Sequence, residues 1–75
     1  MTTNVMAHTA TLLVVDVPEA GQIVQIDMEK HPALQTATAA KIDNVQCDGS
    51  ALRWPALNVE VALTDPAVRP FRFYI

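Results

Sequence analysis

A chain of 75 residues with formal net charge −3 and a single cysteine, Cys47, has room for one domain and cannot close an intramolecular disulfide. Its acidic balance lacks the electrostatic footprint of a nucleic-acid binder. Charged residues make up 17% of the chain, below the roughly 25% of an ordinary domain, so the surface is expected either to be rich in Thr, Gln and Ala or to be covered in part by another chain. The first basic residue is Lys30, which leaves no charged leader region, and the longest aliphatic run, Leu12 to Val15, is far too short to span a membrane. A cytoplasmic location is expected.

Residues 1–9 read as a flexible N-terminal tail and 10–75 as the folded domain. Ala10 to Val17 is apolar and β-branched almost throughout, the pattern of a central strand buried on both faces. Pro18-Glu19-Ala20-Gly21 has turn chemistry. Gln22 to Met28 returns as a second strand, with Val24, Ile26 and Met28 on one face, and the two strands make a hairpin. Pro32 then opens one helix of two to three turns running through Lys41, with Leu34 and Ala37 on a thin apolar stripe and Thr36 and Thr38 weakening it.

A second hairpin follows. Val45 and Cys47 face inward, Asp48-Gly49 reads as a type I′ turn, and Leu52 and Trp54 share a face on the returning strand, which Pro55 ends. Leu57, Val59, Val61 and Leu63 alternate with Asn58, Glu60 and Ala62 in the cleanest half-buried strand pattern of the chain. Thr64-Asp65-Pro66 turns, and Phe71 to Ile75 alternate in a last strand with Phe71 and Phe73 expected inward. No repeats, linkers or low-complexity tracts are expected.

Three groups of residues invite a chemical reading. Asp27, Glu29 and His31 are spaced two apart and would share a face if their strand ran on, which makes them a secondary candidate ligand face. Pro32 accounts for the local geometry without a ligand, so no metal site and no cofactor is assigned. Cys47 sits on an inward strand position beside a tight turn, and a buried structural thiol is the expectation rather than a nucleophile. Two glycines cannot build a phosphate-cradling loop. Arg69, Phe71, Arg72, Phe73 and Tyr74 mix cations with aromatics, but their alternation is that of an ordinary amphipathic strand rather than of a surface for single-stranded nucleic acid.

Ile26-Asp27-Met28 closing a strand, a short helix, the segment Val45 to Cys47, and Leu52-Arg53-Trp54-Pro55 together resemble the bacterial family named domain of unknown function 2442, over roughly residues 10–65. Ala56 and Leu57 stand where that family usually has a glycine, and Ile42 where an aromatic is common. The resemblance implies a small α+β fold, found alone or beside a DNA-binding domain, with no known chemistry and with regulatory, antitoxin-like roles. This chain has no DNA-binding helix pair of its own.

The expected fold is α+β: a small, mostly antiparallel sheet of two hairpins plus further strands, with one short helix packed on one face. The expected function is that of a non-enzymatic protein-binding or regulatory module acting through a protein partner or as a homodimer, with no nucleic acid and no membrane involved. The alternative is a small ligand-binding or enzyme subunit whose site is completed by a second chain. Pro70, Phe71, Arg72, Phe73, Tyr74 and Ile75 are the expected partner contact, because a terminal strand at a sheet edge leaves backbone groups free to pair.

Overall fold

The computed structural model describes residues 3–71. The fold is α+β, with seven strands and two short helices among those residues. Strands β1 (Asn4–His8), β2 (Leu12–Val17) and β3 (Gln22–Asp27) form an antiparallel meander, followed by helices α1 (Pro32–Gln35) and α2 (Ala39–Asp43). A second meander comprises β4 (Gln46–Asp48), β5 (Ala51–Trp54) and β6 (Val59–Ala62), after which the chain crosses back as β7 (Val68–Pro70). The first sheet has the order β1-β2-β3-β7 and the second the order β4-β5-β6. The two hairpins expected in one sheet therefore stand in separate sheets, joined by a shared core.

Asn4–His8, expected within a tail, pairs with β2 instead. The segment Asn-Val-Met-Ala-His lacks period-two alternation, because it covers an edge and four of its five residues are exposed. The register slips between Val5 and Ala7, leaving Met6 as an extra, 49% exposed residue in a bulge.

Period-two alternation sorts the side chains. Leu13, Val15 and Val17 of β2 and Val24 and Ile26 of β3 turn inward, as do Leu52, Trp54 and Val61 of the second sheet. Met28, Leu34, Ile42 and Val45 lie in the same cluster. Val14 is also buried, at 8% exposure, but stands outside that cluster, between Ala7 and Gln25 on the other face of the first sheet. The continuous apolar run of β2 thus reflects burial on both faces.

The expected single helix is broken. Thr36 bonds its hydroxyl back to the Pro32 carbonyl at 3.0 Å, a side-chain competition that does not favour helix continuation. Thr38 has extended backbone, and its side chain accepts from Lys41 N–H as the N-cap of α2. The threonines that weaken the helical pattern end one helix and start the next. Leu34 and Ile42 anchor the two helices in the core.

Two turns have the same construction. In Val17-Pro18 to Gly21 and in Trp54-Pro55 to Asn58, a fully buried residue precedes a proline that opens one 3-10 turn. The fourth turn residue is left-handed, with φ of 67° at Gly21 and 53° at Asn58, and its N–H donates to the proline carbonyl. The flanking pairs Val17↔Gln22 and Trp54↔Val59 close both hairpins in equivalent register. The third hairpin differs from expectation. Asp48 pairs with Ala51, so its loop is Gly49-Ser50, and only Gly49 has positive φ. A positive φ confined to the first central residue belongs to a type II′ turn rather than type I′.

Trp54 is fully buried, and its indole N–H donates to the Ile42 carbonyl at 2.8 Å. Trp54→Ala is expected to lower stability by about 3–5 kcal/mol, and Trp54→Phe by about 1–3 kcal/mol because the Ile42 carbonyl loses its donor; chemical denaturation followed by circular dichroism measures both. A Cβ at Gly21 would meet nothing within 4 Å, so substitution there changes only backbone strain. Gly21→Ala and Asn58→Ala are each expected to cost about 1–2 kcal/mol, and Asn58→Gly is expected to stay within about 0.5 kcal/mol of the parent.

Candidate functional site

The strand carrying Asp27 does not run on to His31. It ends at Asp27, whose carboxylate accepts the Glu29 N–H at 3.1 Å and so caps a 3-10 turn over Met28–Lys30. That turn buries Met28 and separates the three candidate residues. Asp27 and Glu29 line a concavity of about 410 Å³ on the outer side of the first sheet, together with Thr11, Gln25, Lys30 and Arg69 around apolar Leu12, Pro66 and Ala67. His31 is not part of it. Its Nε2 is buried without a hydrogen bond, and Asp65 Oδ1 stands 3.7 Å away. That carboxylate oxygen instead accepts the Ala67 N–H at 2.8 Å and shapes the turn into β7.

The concavity is built by strand register. Leu12 lies opposite Asp27, and Gln25 opposite Arg69, so β2, β3 and β7 each deliver a residue to one patch. The 3-10 turn adds Glu29 and Lys30. Among the described residues, Asp27, Glu29, Lys30 and Arg69 make no ion pair with one another. Two carboxylates and two cations therefore converge without neutralising each other by direct contact. Lys30 was findable in the sequence as the neighbour of Glu29. Arg69 was not, because only the long-range pairing of β7 with β3 brings it there.

The expected partner strand is described only at its start; Arg72, Phe73, Tyr74 and Ile75 lie outside the described residues. Phe71 N–H donates to the Ile23 carbonyl at 2.8 Å, and Asp27 N–H to the Ala67 carbonyl at 2.9 Å. These bonds fix the parity of β7: Ala67, Arg69 and Phe71 turn their backbone groups toward β3, and Val68 and Pro70 turn theirs away. Phe71 consequently falls on the face of Arg69 and Gln25, not on the inward face that the alternation suggested. Val68 N–H is already taken by the Asp65 carbonyl at 2.9 Å, and Pro70 has none. Between Val68 and Pro70 the outer edge of β7 offers no N–H to a further strand.

Cys47 is half-buried, packed against the core, with its thiol 3.6 Å from the Gly49 carbonyl. Burial, then the Glu19 carboxylate, and more weakly Asp48, push the thiol above its ordinary value of 9.0, against an opposing effect of the Thr3 hydroxyl. Thr3 itself donates to Glu19 Oε1 at 2.8 Å. A group whose protonated form is favoured by folding stabilises the fold below its unfolded pKa, and that contribution is lost as pH rises through the folded one. The thermal midpoint is therefore expected to fall as pH rises past the ordinary value of 9.0, and Cys47→Val to flatten that decline; the same variant is expected to cost at most about 1–2 kcal/mol at neutral pH. Alkylation of the folded protein at neutral pH should be slow, as a thiol-labelling time course will show.

Among the described residues no helix is long and apolar enough to cross a membrane, and no group of three His, Cys, Asp or Glu side chains is placed to hold a metal ion. Comparison with protein-family models, with curated proteins and with solved structures gave no match.

Proposed function

We propose that this chain is a non-enzymatic, cytoplasmic protein-binding module that recognises its partner through the outer face of the four-stranded sheet, and that its likeness to the bacterial family named domain of unknown function 2442 reflects kinship. The observation that carries the reading is the concavity itself: Asp27, Glu29, Lys30 and Arg69 meet around Leu12, Pro66 and Ala67 without pairing among themselves. Charges of both signs on an apolar floor suit a peptide segment that itself carries both signs, since complementary placement gives register and specificity.

One observation favours the alternative, a small-ligand subunit. A volume of about 410 Å³ lies within the range of small-molecule sites. The two readings part on one experiment. The tagged protein is used as bait in its source lysate beside Glu29→Lys, Arg69→Glu and, as a control at an exposed helix position, Lys41→Glu. The protein-binding reading expects a specific protein retained by the parent and by the Lys41 control and lost with both charge reversals. A capture indifferent to Glu29 and Arg69 sinks the concavity as the recognition site. Saturable amide shifts at Gln25, Asp27 and Arg69 on titration with small metabolites, without any protein captured, would establish the alternative.

A further inference from the structure

The four sheet edges are not equally defended. On β1 the bulge at Met6 interrupts the regular spacing a neighbouring strand requires. On β7 the Val68 N–H is occupied and Pro70 has no donor. Strand β4 has only three residues, and pairing of Gln46 with Arg53 and Asp48 with Ala51 leaves Cys47 as the one residue that points its backbone outward. Strand β6 has no proline, glycine or bulge.

The parity of β6 is set by one bond just beyond it. Leu63 N–H donates to the Ser50 carbonyl at 2.8 Å, in step with the pairs Leu52↔Val61 and Trp54↔Val59. Val59, Val61 and Leu63 therefore turn their backbone groups toward β5, and Glu60 and Ala62 turn theirs away, two residues apart as a strand partner needs. Neither N–H donates within the described residues. The Ala62 carbonyl already accepts Asp65 N–H at 2.9 Å and retains a second lone pair.

We propose that β6 is a self-association edge, at which a second copy of the chain adds its own β6 antiparallel, with the two Val61 residues facing each other across the two-fold axis. The sequence of β6 is self-complementary in that register. Glu60 lies opposite the second copy's Ala62, so the two carboxylates are not opposed. The outward backbone groups of Glu60 meet those of Ala62, forming four hydrogen bonds in the ring pattern of an antiparallel pair. On the inner face Val59 meets Leu63, covering two apolar residues that are only half-buried in one copy. Charge at the edge is already managed, since Arg53 stands 3.4 Å from Glu60 and 3.0 Å from Asp48. The two three-stranded sheets become one six-stranded sheet. This proposal does not depend on the concavity, which lies on the other sheet.

Amide hydrogen exchange on the intact chain, measured by NMR from micromolar to millimolar concentration alongside sedimentation, tests it without any variant. A dimer is expected, with Glu60 and Ala62 amides slowing by about tenfold or more as it forms. Ala62→Pro removes the outward N–H and no bond to β5, and Ala62→Lys places a charge on the edge; both are expected to remain folded and monomeric, whereas Arg69→Glu should dimerise like the parent. A protein that stays monomeric at millimolar concentration overturns the proposal. So does a dimer in which Glu60 and Ala62 exchange no more slowly than in the monomer.

Discussion

The indole of Trp54 is the largest fully buried side chain of the fold, and it carries a polar N–H into that core. A buried donor without an acceptor costs a sizeable part of a small domain's stability. The Ile42 carbonyl, in the last turn of α2, has the converse difficulty, because carbonyls at a helix C-terminus have no partner within the helix. The bond between them resolves both and fixes where α2 sits on the second sheet. Ile42 and Val45 on either side of the contact are buried with it. The same Trp54 is also the residue before Pro55, so the anchor of the helix is at once the start of the turn that sends β6 back along β5. Helix position, turn geometry and core volume converge on one side chain.

Around that anchor the chain builds much the same object twice. Each meander runs through three strands, and each second hairpin closes with a buried residue, a proline at the start of a 3-10 turn and a left-handed fourth position. The recurrence was hidden in the sequence because its chemistry is conformational. Gly21 and Asn58 share no side-chain character, only tolerance of positive φ, and Val17 and Trp54 share only burial. The strands themselves were legible, since alternation of Val24 with Gln25 or of Val61 with Glu60 is a local property of the chain. The II′ turn at Gly49 was half legible: the glycine marked a positive φ, but whether it came first or second in the loop depended on which residues paired across it.

The surface was less legible for a related reason. Asp27 and Glu29 were visible as carboxylates two apart, yet the capping bond from Glu29 N–H to Asp27 ended the strand and removed His31 from their company. Arg69 joins them through a pairing that spans more than forty positions of the chain, and no local pattern encodes that. The direction in which an edge residue points its N–H has the same character. A proline such as Pro70 announces an edge, but only the register of β7 on β3 shows that its missing donor faces away from the sheet, where no ladder bond is lost.

Because both sheets turn their apolar residues into one core, each retains an outer face, and the two faces differ in how they treat charge. On the second sheet Arg53 lies between Asp48 and Glu60, at 3.0 and 3.4 Å. Exposed pairs of this kind add little stability, but they hold both carboxylates against one guanidinium beside the edge of β6, where the N–H groups of Glu60 and Ala62 point outward. On the first sheet four charged residues line one concavity with no such pairing. Outward-facing backbone donors favour contacts made by the main chain, for which side-chain identity matters little. Unpaired charges of both signs favour contacts made by side chains, which select among partners by complementarity. In a chain with few charges to place, the two outer faces thus differ in whether those charges meet: Arg53 contacts both Asp48 and Glu60, whereas among the described residues Asp27, Glu29, Lys30 and Arg69 make no ion pair with one another.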